Sequence, residues 1–179
     1  MPANWKICGA WQTESPSSPN ENLVIPLPHS NRYFICGSAM QLSPIKKTDE
    51  TAWQLADIRA GIAYITPATS EQFTPHMIGI VKLGGVSFKK GCYLGQEIVA
   101  RTEHLGKAKR HLYHGTVATK QLPQAGNPVH DDHGKDVGMI FSAAFAAEAS
   151  CEFLCVLEDN ATIQAKLFWQ QHPLNLILS

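Results

Sequence analysis

Apolar residues in this chain fall into zones of different period. Lys6 to Gly9, Leu23 to Leu27 and Arg32 to Cys36 are short β-rich runs, divided by the turn-rich TESPSSPNEN and by a PHSN turn. Taken in order they predict a β-meander. Glu50 to Ala60 reads as a helix, with Thr48 or Asp49 as N-cap and Gly61 as its stop. Gly84, Gly85 and Gly91 then bracket a short apolar piece, Val86 to Phe88, and Gln96 to Glu103 is rich in helix formers. Past a GKAKR turn the β pattern returns. His111 to Ala118, Val137 to Phe145, Cys151 to Leu157 and Thr162 to Phe168 are the expected strands, with HDDHGKD as a hairpin-like turn, and together they suit a small C-terminal β-barrel. The fold class is α+β, without internal repeats.

Composition narrows this only a little. With 44% hydrophobic residues among 179, the chain can bury a core, as one large domain or two small ones. The opening MPANWKICGAW lacks a basic region followed by a continuous apolar stretch, and nowhere do about 18 apolar residues run together. The expectation is a soluble cytoplasmic protein with no membrane partner. Cys8, Cys36, Cys92, Cys151 and Cys155 form no CxxC pair and no disulfide framework, and read as reduced thiols. In CEFLC, Cys151 and Cys155 share a strand face with Phe153, which is a core pattern and not half of a metal site. The eight histidines are scattered without an HExxH, so no metal is expected.

The net charge is zero but unevenly spread. Between Lys82 and Arg110, seven basic residues face two acids, giving +5 here and −5 elsewhere. Such a stripe suits a polyanion such as tRNA or a polyglutamate tail. It equally suits a solvated helix face.

Within it lies KGCYLGQE, Lys90 to Glu97. Lys89 and Lys90 precede Cys92, and a helix start follows. Nearby positive charge and a helix N-terminus both favour the thiolate, the nucleophilic and metal-binding form of cysteine. The plainer reading is a lone cysteine that packs as a small hydrophobe, and it is the commoner case. Trp53, near the expected helix start, is first a packing anchor, though its ring also offers a flat face to a heteroaromatic ligand.

KGCYLGQE, preceded by LGGVSFK and followed by IVAR, resembles the YgfZ family, the folate-binding relatives of the glycine-cleavage aminomethyltransferase. The likeness runs from about Trp53 to Tyr113 and includes LADIRAGI (Leu55 to Ile62) and EQFTP (Glu71 to Pro75). The aminomethyltransferases carry K-x-D-F-I-G-x-E at the corresponding place, with an acid where this chain has Cys92, so the chain sits on the YgfZ side.

That resemblance implies a division into residues 1–106, the second part of an aminomethyltransferase-like folate-binding region, and 107–179, the barrel. It implies Cys92 as the working thiol, within a motif of Lys90, Gly91, Tyr93, Gly95, Gln96 and Glu97. Tyr93 would pack, Gly95 would allow close backbone approach, and Gln96 and Glu97 would orient the loop or cap the helix. Trp53 becomes a tetrahydrofolate contact. Arg59 holds a place where the aminomethyltransferases carry a folate-contacting Glu, and would pair with a folate carboxylate or with Asp57. The implied role is folate-dependent support of iron-sulfur enzymes, including one that methylthiolates tRNA, with Cys92 touching a cluster, a persulfide or a partner protein. The implied partners are iron-sulfur enzymes or their assembly proteins, tRNA through residues 82–110, and a chain supplying the missing N-terminal part of the family's pocket. A tetrahydrofolate-dependent one-carbon transfer enzyme and a tRNA-binding module are the alternatives.

Overall fold

A computed structural model describes residues 5–11, 23–27, 30–38, 49–106, 108–164 and 166–177. The chain divides into two compact units, Met1–Trp53 and Gln54–Ser179. The resemblance places its division at 106/107 instead, inside the second unit and close to where the barrel begins.

The first unit is a three-stranded antiparallel sheet of β1 (Trp5–Trp11), β2 (Leu23–Pro26) and β3 (Arg32–Ser38). Its order is β1-β3-β2, which corrects the expected meander. β2 and β3 are close in sequence and make a hairpin, closed by Leu27 N–H donating to the Arg32 carbonyl at 2.9 Å. β1 pairs with the other edge of β3. The register sets Ile7, Gly9, Trp11, Leu23, Ile25, Arg32, Phe34 and Cys36 on one face. Ile7, Leu23 and Ile25 are exposed on it.

Helix α1 (Glu50–Arg59) crosses the division between units. Asp49 caps it by accepting from Thr51 N–H at 3.0 Å. Its end is a Schellman motif, with Gly61 at φ +66°, Gly61 N–H bonded to the Ile58 carbonyl and Ile62 N–H to the Asp57 carbonyl.

The second unit holds α2 (Gln96–Leu105) and a closed six-stranded barrel. The strands are β4 (Arg110–Val117), β5 (Pro128–His130), β6 (Asp136–Ala147), β7 (Ser150–Glu158), β8 (Leu167–Trp169) and β9 (His172–Ile177), with the short helix α3 (Asp159–Gln164) after β7. The spatial order is β4-β7-β6-β5-β8-β9, and β9 pairs back onto β4. Of the stretch Thr162 to Phe168, expected as a strand, Thr162 to Gln164 end α3, and Leu167 and Phe168 begin β8. HDDHGKD does turn β5 into β6, with Gly134 at φ +80°.

β7 is buried on both faces. Cys151, Phe153, Cys155 and Leu157 join Val117, Val129, Val137, Leu167, Trp169 and Leu174 in one cluster to which every barrel strand contributes, so it is the barrel interior. Leu154 and Val156 point the other way, against Phe141, Ala144, Ile58 and Ile78. This second layer seats Leu55 and Ile58 of α1 and the turns of residues 60–85 on the barrel wall.

Candidate functional site

Cys92 lies in the turn-rich segment before α2 and is exposed. The packing alternative for it is thereby set aside. Burial accounts for Cys36, Cys151 and Cys155 instead. In the barrel interior, burial pushes the Cys151 and Cys155 thiols up. Burial also raises the half-buried Cys8, with Cys36 adding to the effect.

Helix α2 begins later than the thiol. Its N-cap is Gly95, at φ +84°, and Gln96 is its first residue. Cys92 precedes the cap by three residues, so it does not sit in the first turn, where the helix dipole acts. Two reciprocal bonds hold residues 93–96 together: Tyr93 N–H donates to Gln96 Oε1 at 3.1 Å, and Gln96 N–H to the Tyr93 carbonyl at 3.2 Å. Gln96 thereby ties the end of the loop back to Tyr93. Glycine at 95 is favoured by its positive φ and not by crowding, because an added Cβ would meet nothing within 4 Å. Tyr93 does not pack: it is 47% exposed, because the turn directs residues 92–95 outward. Gly91 and Glu97 are exposed too, and Glu97 complements the positive end of the helix.

The rest of α2 secures this loop. Val99 is its buried apolar anchor, His76 Nε2 meets Glu103 Oε2 at 3.1 Å, and the Phe88 ring rests edge-on against His104. The basic residues Lys82, Lys89, Lys90, Arg101, Lys109 and Arg110 are exposed, and Lys107 lies outside the described residues. Arg110 is paired with Glu158 at 2.9 Å, which discounts it as a contact for a polyanion. Lys109 and Arg110 also border a half-open cavity of about 660 Å³ with Gln72, Met77, Glu158 and Asp159.

Trp53 belongs to the first unit, where it lies on the sheet face described above. An added Cβ on Gly9 would come within 2.5 Å of its ring, so the backbone and the indole are in intimate contact. The Arg32 guanidinium stands 4.6 Å from the ring centroid, Trp11 meets it edge-on at 5.0 Å, and Phe34 lies 5.7 Å away. Arg32 Nη1 also donates to the Trp53 carbonyl at 3.3 Å. This is a packed cation-π cluster.

Arg59 belongs to the second unit. Its Nη2 and Nε donate to Glu152, the shortest contact being 2.6 Å, and His114 Nε2 reaches the same carboxylate at 3.0 Å. The Arg59 guanidinium, followed by His114, holds the Glu152 carboxyl below the usual carboxylate range, and Glu152 in turn raises Arg59. Sequence reasoning missed Glu152. Its signal was a single acid inside the otherwise apolar CEFLCVL.

Among the described residues, no group of three or more His, Cys, Asp or Glu is placed to hold a metal ion. No helix there is long and apolar enough to cross a membrane.

No family model matches the chain. Curated proteins do. The tRNA-modifying protein YgfZ of Blochmanniella pennsylvanica (strain BPEN) is 36% identical over 134 residues, covering 70% of this chain and 38% of that protein. Its namesake from Serratia proteamaculans (strain 568) is 37% identical over 122 residues, 66% of this chain and 37% of that protein. The one from Escherichia coli (strain SMS-3-5 / SECEC) is 43% identical over 84 residues, 47% of this chain and 26% of that protein. The chain thus spans less than two fifths of the length of these relatives. Identity at this level, sustained over two thirds of the chain in the longer matches, places the chain in the YgfZ family.

Proposed function

We propose that this chain takes part in tRNA modification by way of the Cys92 thiol, in support of iron-sulfur enzymes that methylthiolate tRNA. The observation that carries the reading is the contrast among the cysteines: Cys92 is exposed on a loop pinned by Tyr93 and Gln96, while Cys36, Cys151 and Cys155 are buried. An exposed thiol can reach a cluster, a persulfide or a partner protein, and a buried one cannot. The relatives' description as tRNA-modifying supports the process. Lys89 and Lys90, both exposed beside Cys92, supply positive charge to the same loop.

Tetrahydrofolate enters through the family resemblance. As a folate site the two candidate residues do not fit as they stand: the Trp53 ring is engaged by Gly9, Arg32 and Trp11, and the Arg59 guanidinium by Glu152. No step of the proposal passes through folate.

The test is Cys92→Ser in a strain lacking the native gene, with methylthiolated tRNA nucleosides quantified by mass spectrometry and the fold checked by circular dichroism. The expected result is loss of the modified nucleoside with an unchanged melting temperature. Full modification in the variant would overturn the thiol reading. An unfolded variant would make Cys92 structural.

A second reading is direct tRNA binding through Lys82, Lys89, Lys90 and Arg101, all exposed in one part of the chain. Steeply salt-dependent binding of purified tRNA, weakened on neutralising these residues, is its expected sign.

A further inference from the structure

The Cys92 loop is apolar where a solvated loop would be polar. Leu94 is fully exposed, Ile98 is 63% exposed, and Tyr93 and Phe88 are exposed to 47% and 40%. These four side chains fall within residues 88–98 of the second unit. The segment is tied at two places: the Tyr93–Gln96 bonds close its turn, and the Phe88–His104 contact joins its start to the end of α2. A segment tied in this way has less conformational entropy to lose on binding than a free one.

We infer that Phe88 to Ile98 is a docking element for a partner protein that offers an apolar groove rimmed by carboxylates. The inference rests on the reading of Cys92 as a working thiol and names the kind of surface that thiol meets. The two most exposed side chains, Leu94 and Ile98, are aliphatic. They have no π-face for a base and gain nothing beside a phosphate, whereas burial in an apolar groove is their favoured state. The partner's rim follows from charge. Lys82, Lys89, Lys90 and Arg101 are exposed between residues 82 and 101, against Glu97 as the one acid in that sequence interval. Complementarity then calls for carboxylates around the groove. The same charge disfavours a second copy of this chain docked symmetrically through the patch, because Lys89 and Lys90 would face their own counterparts. Cys92 lies between the lysines and Leu94, so docking carries the thiol into the interface.

The experiment places the photo-cross-linker p-benzoylphenylalanine at Leu94 in the chain expressed in its native host, and identifies the cross-linked peptide by mass spectrometry. The expected product is a protein peptide with acidic residues flanking an apolar stretch. Ile98→Asp, or Lys89→Glu with Lys90→Glu, should cut its yield at least tenfold without shifting the melting temperature. Exchanging the flanking acids of that peptide for lysine should restore the yield with the Lys→Glu variant. Cross-linking to RNA, to a second copy of the chain or to a peptide lacking acids overturns the inference, as does the absence of any product or a yield indifferent to these substitutions. Cys92→Ser separates the two readings. If it abolishes tRNA modification while Ile98→Asp leaves modification and cross-linking intact, docking is wrong and the thiol reading stands. If cross-linking behaves as expected while Cys92→Ser modifies tRNA normally, the thiol reading fails and docking stands.

Discussion

Replacing Glu152 by Gln removes the charge that joins α1 to the barrel wall while keeping the shape of the side chain. The carboxylate accepts from Arg59 and His114 and is 11% exposed. Hydrogen bonds to a charged group contribute about 1.5–3 kcal/mol when shielded, and exposed ion pairs about 0–1 kcal/mol. The Arg59 side chain is 58% exposed, so its share belongs near the lower range, whereas His114, at 19%, belongs nearer the upper. Together they lead to about 2 kcal/mol, and a unit of this size melts about 4 °C lower per kcal/mol, or about 8 °C for the variant.

The pH dependence gives this estimate a second edge. Arg59 first, then His114, holds the Glu152 carboxyl below its ordinary range. A carboxylate depressed by folding stabilises the fold above its unfolded pKa, about 4.3, and that contribution is lost as pH falls through the lower folded value. The gap in melting temperature between parent and Glu152→Gln should therefore be full above about pH 5 and close in acid. Melts followed by circular dichroism from neutral pH into the acid range would show this. A variant as stable as the parent at neutral pH, or a gap of the same size in acid, would refute the assignment of Glu152 as an ionised tie.

Three further outcomes follow from the geometry. Gly95→Ala forces an ordinary residue to φ +84° and should destabilise the second unit by about 1 kcal/mol; an unchanged melt would show that the turn relaxes freely. In native protein, maleimide should modify Cys92 first and half-buried Cys8 more slowly, with Cys36, Cys151 and Cys155 reacting only after unfolding; peptide mapping over time reads the order, and early labelling of Cys155 would contradict a closed barrel interior. Trp53→Ala removes the ring from Gly9, Trp11, Phe34 and Arg32 and should cost the first unit about 3 kcal/mol, read as an earlier loss of tryptophan fluorescence on denaturant titration. A stable sheet in that variant would mean the ring is held for a ligand and not for packing.

Much of the fold was legible because alternation and punctuation agree over long stretches. β4, β6 and β7 carry enough apolar and β-favouring residues to be read directly, and CEFLC put Cys151, Phe153 and Cys155 on one core face, which is the barrel interior. The shorter barrel strands were not legible. β5 and β9 each include a proline, which weakens any strand signal, and each has one partner far away in sequence, β8 for β5 and β4 for β9. Thr162 and Ile163 are β-formers, yet they fall within α3, where tertiary context overrides a weak local preference. Strand order in the first unit was also hidden. Periodicity gives the strands but not which of them lies between the others.

The candidate site shows where that legibility stops. The residue types in KGCYLGQE point to a thiol on a loop before a helix, and the structure places it there. The apolar residues around it mislead, because Tyr93, Leu94 and Ile98 carry the same composition signal as core residues. What separates them from Val99, one position beyond Ile98 and buried, is the angle at which α2 emerges from a turn set by Gly95 and Gln96. Trp53 is the opposite case. Its type suggests a ligand platform, but a glycine at position 9 across the sheet face leaves room for the indole to lie against the backbone, and Arg32 follows it there. Whether an apolar side chain serves the core or a partner is therefore decided by backbone direction, which composition does not encode. On that ground the Cys92 loop, with its outward Leu94, carries the functional reading in this chain more firmly than the Trp53 ring.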